Sequence, residues 1–197
     1  MADILYKYKS SVYANITNKC NCRCTFCIRF LKDGIGDADT LWHQQNPTKE
    51  EVVEAIRNFD FTGFDELIFC GYGEPTCALD ILLEAAKTAK EKGLKTRLNS
   101  NGLGNVENGR NIVPELAKVI DSVSISLNAP DSDKYNEVTR PQVDGAFEKM
   151  IDFAKKCKEQ IGNVKWSIVD VLPADEIEQC KRLSNETGIE LRIRHFS

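Results

Sequence analysis

The chain has 197 residues, 42% of them hydrophobic and 28% charged, with a formal net charge of −4. These are globular proportions, enough for one domain or at most two small ones, and they exclude wholesale disorder. The absence of a Lys/Arg run and of a span-length apolar stretch argues against general nucleic-acid affinity and against a membrane span.

The N-terminus, Met-Ala-Asp-Ile-Leu-Tyr-Lys-Tyr-Lys, lacks the charged-then-apolar build of a signal peptide, which points to the cytoplasm. Residues 12–17 (VYANIT) read as a first strand running into a cysteine cluster, and a Gly/Asp-rich loop follows over 31–47. A helix is expected from Thr48, where Thr48 and Glu51 form a capping-box pair and Val52, Ala55, Ile56 and Phe59 recur at helical spacing. Residues 66–70 (ELIFC) read as a buried strand. Leu79, Leu82, Leu83 and Ala86 mark a helix closed by Gly93.

Residues 94–99 are strand-like, and Pro114 opens a short helix through Ile120. In 122–128 (SVSISLN), Val123, Ile125 and Leu127 alternate with Ser122, Ser124, Ser126 and Asn128. A helix around Phe147–Ala154, a strand over 164–171, a helix around Ile177–Leu183 and a last strand over 190–195 complete the pattern. Alternating strands and helices imply parallel strands with right-handed crossovers. Six strands are too few for a closed eight-stranded barrel. An open partial (β/α)6 barrel comes first and a flat doubly wound sheet second. A single domain over 1–197 is expected, with little chain left for an accessory domain.

Residues 18–27 (NKCNCRCTFC) hold four cysteines. A cytoplasmic location favours thiols and metal ligands over disulfides for all eight cysteines of the chain. Cys20, Cys24 and Cys27 fit Cys-x3-Cys-x2-Cys, and three thiolates on one tight loop suit three corners of a [4Fe-4S] cube. The fourth iron then stays open for chemistry. Cys22 is off this spacing and reads as a neighbouring thiol. A structural zinc site using Cys20, Cys22, Cys24 and Cys27 is the alternative, although zinc motifs usually pair two separated Cys-x2-Cys steps.

About forty residues after the cysteines, the second strand ends in "CGYGEPT". The two motifs, in this order and over nearly the whole chain, resemble the radical S-adenosylmethionine (SAM) superfamily. Tyr72-Gly73 stands where that family has Gly-Gly. The stretches "TFCIRFLKDGIGDADTLWHQQNPTKEEVVEAI" and "CGYGEPT" resemble the small radical SAM proteins associated with TatD-type nucleases. Glycyl-radical activating enzymes and 7-carboxy-7-deazaguanine synthases share the general motifs.

The resemblance implies a [4Fe-4S] cluster on Cys20, Cys24 and Cys27, and SAM bound at its free iron. Reductive cleavage of SAM would give a 5′-deoxyadenosyl radical that abstracts hydrogen from a substrate the sequence does not identify. A low-potential donor such as flavodoxin or ferredoxin is implied, as is an association with a TatD-type nuclease. Gly71, Tyr72, Gly73, Glu74 and Pro75 would cradle the methionine part of SAM, the glycines letting the backbone approach it. Ser126 and Asn128, and Asn99 and Asn101 in "LNSNG", are further SAM-binding candidates; loop-forming polarity is their plainer reading. The rival class is a non-catalytic iron–sulfur carrier or zinc protein, for which the GYGEP turn has no use.

Cys70 and Cys77 flank that turn. Cys157 and Cys180 fall on apolar helix faces and read as small buried hydrophobes. Arg140, His43 and His195 read as surface, unassigned and rim residues.

Overall fold

In the computed structural model, which describes residues 3–195, the chain forms one seven-stranded sheet whose strands lie in sequence order. Met1, Ala2, Phe196 and Ser197, part of the single-domain expectation, lie outside the described residues. The strands are β1 (Leu5–Tyr8), β2 (Ser11–Ala14), β3 (Glu66–Phe69), β4 (Lys95–Ser100), β5 (Ser122–Ser126), β6 (Val164–Val169) and β7 (Glu190–Arg194). From β2 onward every neighbouring pair is parallel. An unbroken strand order leaves no reversal point, so the doubly wound alternative falls away. The sheet does not close, and β1 and β7 are its edges.

Right-handed crossovers in a singly wound sheet put the helices on one side. Helices α1 (Lys49–Asn58), α2 (Leu79–Glu91), α3 (Gly104–Glu107), α4 (Val113–Leu116), α5 (Ser132–Thr139), α6 (Ala146–Gln160) and α7 (Ala174–Thr187) provide that layer. The core follows from strand alternation. Val12, Leu67, Leu98, Val123, Ile125, Trp166 and Ile168 face the helices and join one buried cluster with Ile56, Leu82, Met150 and Phe153. Helix α1 carries the expected reciprocal capping box between Thr48 and Glu51.

Several local expectations change; among them, α3 (Gly104–Glu107) is additional and the strand expected over 164–171 ends at Val169. Strand β1 is additional: Leu5–Tyr8 pairs antiparallel with β2 through a tight turn at Lys9, which takes φ 55°. The first parallel strand stops at Ala14 instead of continuing to Thr17, because Asn15 turns its side chain to loops on either side. Helix α5 was not visible in the hydrophobic pattern, since only Tyr135 and Thr139 are buried on it. Its start is set by the Asp131 side chain, which accepts from the Lys134 amide.

Candidate functional site

The cysteine loop leaves the C-terminal end of β2 and is held as a backbone ladder against the segment after α5. The Arg23 amide donates to Thr139 O at 2.9 Å, the Thr25 amide to Val138 O at 2.9 Å, and the Gln142 amide to Asn21 O at 3.0 Å. Cys22 bridges to Pro141. The loop then closes into a single turn of tight helix at Ile28–Phe30, started by the Phe30 amide on Cys27 O. Cys20, Cys24 and Cys27 are half-buried, Cys22 is buried, and all four are free thiols.

Their electrostatics separate Cys22 from the rest. The Cys22 thiol donates to Cys24, which lowers the pKa of Cys24 and, together with burial, raises that of Cys22. Burial pushes Cys20 up to about 12, and burial also raises Cys27. The Arg29 guanidinium opposes these shifts at Cys20 and Cys27 and adds to the lowering at Cys24. Arg29 Nη1 also reaches Asn18 O and Tyr72 O, both at 3.5 Å, and its ring neighbours are Phe30 and Trp42. Arg29 therefore sits between the cysteine loop and the turn after β3. Sequence reasoning missed it; its place two residues after the last motif cysteine was the available signal.

The turn after β3, Gly71–Pro75, packs directly on the cysteine loop. The Glu74 amide donates to Lys19 O at 2.8 Å. A Cβ on Gly73 would stand 2.7 Å from Lys19 O and closer still to Thr17 O, and a Cβ on Gly71 would overlap the Asn15 side chain. The glycines thus admit close contact with protein backbone and side chain. Asn15 ties this corner together: its Oδ1 accepts from the Tyr72 amide at 3.2 Å, and its Nδ2 donates to Leu41 O at 2.8 Å and lies 3.0 Å from His43 Nε2. His43, unassigned from sequence, is buried here, and burial lowers its pKa.

Glu74 points inward. Its Oε1 accepts from the Thr76 amide (3.1 Å), Thr76 Oγ1 (2.7 Å) and Ser100 Oγ (2.8 Å), while Oε2 accepts from the Asn101 amide (2.7 Å). Burial pushes its pKa up and these donors pull it back. Asn101 continues the chain of contacts, donating from Nδ2 to Asn21 Oδ1 at 2.6 Å with Cys22 Sγ 3.5 Å away. The fourth strand end, the GYGEP turn and the cysteine loop form one connected unit.

Asn99 and Ser126 lie on the face of the sheet opposite the helices. Asn99 Oδ1 and Asn128 Oδ1 are buried acceptors with no partner among the described residues. Asn128 also holds a left-handed backbone, φ 57°, at the end of β5. Buried acceptors of this kind call for a donor. Together with three half-buried thiols on one loop, they fit a thiolate-bound iron–sulfur cluster beside a ligand bearing N–H or O–H groups. Among the described residues no three His, Cys, Asp or Glu side chains converge as around a single metal ion.

The remaining candidates are dispersed. Cys70 follows β3 with Asn99 beside it, and Cys77 lies near Cys20 and Lys19. Cys157 and Cys180 are buried core residues, as expected. Arg140 is exposed and lines a cleft of about 640 Å3 with Arg23, Asn136 and Gln142. His195 is exposed and meets Asp170 at 2.6 Å.

A family model for the radical SAM superfamily matches residues 14–185. This chain belongs to that superfamily. Its members use a [4Fe-4S] cluster and SAM, which suits the donor set above. The chain is 32% identical over 146 residues to a Methanocaldococcus jannaschii protein named as a glycyl-radical enzyme activating enzyme, covering 70% of this chain and 53% of that one. It is 25% identical over 202 residues to GTP 3′,8-cyclase of Alkaliphilus oremlandii, covering 98% and 58%. The chain spans about half the length of these curated relatives. Streptococcus suis SuiB bound to S-adenosylmethionine superposes with a TM-score of 0.68 at 20% identity, over 94% of this chain and 40% of that one. That likeness attests the fold.

Proposed function

We propose that this chain is the catalytic core of a radical SAM enzyme in which Cys20, Cys24 and Cys27 hold the [4Fe-4S] cluster and SAM lies along the C-terminal ends of β3–β5. The observation that carries the reading is the direct packing of the Gly71–Pro75 turn on the cysteine loop, through Glu74 N to Lys19 O and the bare Cα of Gly73. With both groups bound, the cluster and SAM supply reductive formation of a 5′-deoxyadenosyl radical that abstracts hydrogen from substrate.

The chain's own residues supply position. Glu74 and Asn101 fix the cysteine loop, and Arg29 lends positive charge to the thiolates. The backbone of Gly71–Gly73, Tyr72 and Pro75 frames the methionine end of SAM. Asn99, Ser126 and Asn128 offer acceptors and a hydroxyl to its polar groups.

The TatD-associated subgroup and a nuclease partner belong to this proposal through the two quoted sequence stretches alone. A flavodoxin- or ferredoxin-type donor follows from the need for a low-potential electron. A cytoplasmic site and a single domain over 1–197 are parts of the same proposal; no helix among the described residues is long and apolar enough to cross a membrane.

The test is spectroscopic. Anaerobically reconstituted protein reduced with dithionite should show a cluster EPR signal that changes when SAM is added. A reduced cluster whose signal is indifferent to saturating SAM would contradict SAM ligation at the cluster.

A further inference from the structure

The cysteine loop has an outer side. Arg23, set between Cys22 and Cys24, is exposed although its two neighbours are buried and half-buried. It lines a cleft of about 640 Å3 together with Asn136, Arg140, Gln142, Val143 and Asp144. The wall between cleft and loop is backbone: the Arg23 amide donates to Thr139 O at 2.9 Å and to Arg140 O at 3.3 Å, and Cys22 bridges to Pro141. The cleft is therefore one residue along the chain from Cys24.

The guanidiniums of this cleft are unpaired. Neither Arg23 nor Arg140 has a side-chain hydrogen bond or ion pair among the described residues, and both are exposed. Asp144, the carboxylate in the lining, pairs with neither. At the rim, Lys149 reaches Asp144 O at 2.7 Å and Glu148 lies beside Gly145, so their charges offset one another. The cleft is left with a net positive charge in a chain of net charge −4.

Arg140 is also held against its backbone preference. It closes α5 in a left-handed conformation, φ 46° and ψ 59°, where glycine is the usual residue. A side chain there costs free energy, and such outliers cluster at functional sites. Planar guanidiniums with unused N–H groups match the paired oxygens of carboxylates. Electron-transfer encounters between proteins bury little surface, below about 1,200 Å2, and complementary charge steers them. An open cationic cleft backed by the cysteine loop has that character.

We propose that this cleft docks an acidic, flavodoxin-type electron carrier, whose surface carboxylates pair with Arg23 and Arg140 and whose flavin edge lies against the cysteine loop. The inference rests on the radical SAM reading for the cluster that accepts the electron. One electron crosses: the flavin hydroquinone anion is oxidised to the neutral semiquinone, the cluster is reduced, and no proton is exchanged.

The experiment is calorimetric titration of the reconstituted full chain with a bacterial flavodoxin at low ionic strength, followed by 5′-deoxyadenosine assays with either photoreduced flavodoxin or dithionite as reductant. Saturable binding that weakens as salt rises is expected. The Arg23→Ala/Arg140→Ala double variant should bind tenfold or more weakly and lose flavodoxin-supported cleavage, with dithionite-supported cleavage kept. Arg140→Gly removes the guanidinium but suits the left-handed backbone. It should weaken flavodoxin binding yet melt no lower than wild type, a combination that misfolding would not produce. Arg182→Ala, exposed on α7, should bind as wild type.

No saturable binding, wild-type affinity in the double variant, or equal loss in Arg182→Ala would overturn the inference. So would binding of inorganic phosphate that the double variant loses while flavodoxin affinity stays intact, since the cleft would then serve a small anion. The radical reading is scored apart, by the dithionite assay on wild-type protein. Arginine-dependent flavodoxin binding without dithionite-supported cleavage would sink that reading and leave the docking surface standing.

Discussion

Glu74 Oε2 accepts a 2.7 Å hydrogen bond from the backbone amide of Asn101, tying the end of β4 to the turn after β3. The same carboxyl takes three further donors through Oε1, so one buried side chain fastens two strand ends beneath the cysteine loop. Glu74→Gln keeps the volume but sets an amide N–H against the Asn101 N–H. A buried donor left unsatisfied costs about 1–3 kcal/mol. In a chain of this size each kcal/mol lowers the melting temperature by about 2–4 °C. Thermal denaturation should show that drop, and an unchanged midpoint would refute the role given to Glu74.

Gly73 leads to a second prediction. Because its missing Cβ makes room for Thr17 and Lys19 carbonyls, Gly73→Ala should push the turn off the cysteine loop. Overpacking of this kind costs about 1–3 kcal/mol. Both SAM affinity and iron content after anaerobic reconstitution should fall together. Loss of SAM affinity with full iron content would instead favour a direct ligand-approach role for this glycine.

The cysteines should not be equivalent. Alanine at Cys20, Cys24 or Cys27 should abolish a normal cluster, whereas Cys22→Ala should retain it. Iron and sulfide analysis after anaerobic reconstitution reads this out. Complete iron loss in Cys22→Ala would make Cys22 a ligand.

His43 should confer a pH-dependent stability. Its folded pKa lies below the usual 6.5 because burial disfavours the charged ring. The unfolded chain then binds the proton more readily, so the stability from His43 is full above about pH 6.5 and is lost as pH falls through and below it. Melting curves between pH 7.5 and about 5 should show a smaller decline in His43→Gln than in wild type. Parallel curves would remove His43 as the source.

Much of the fold was legible because its signals are local. The Thr48–Glu51 cap, the Val123/Ile125/Leu127 alternation and the cysteine spacing each sit within a few residues. What escaped depends on partners far along the chain. Strand β1 exists by pairing with β2, and Asn15 breaks its strand to serve Tyr72 and His43. Arg29 gains meaning only when Tyr72 O is brought beside it. Glycines 71 and 73 were noticed, but which group they admit was a tertiary matter.

The most direct test of the central claim is reductive SAM cleavage by the isolated chain. Reconstituted protein incubated anaerobically with dithionite and SAM should form 5′-deoxyadenosine and methionine, measured by chromatography, and Cys27→Ala should not. Wild-type protein with a spectroscopically normal reduced cluster and no 5′-deoxyadenosine above the Cys27→Ala background would contradict the account.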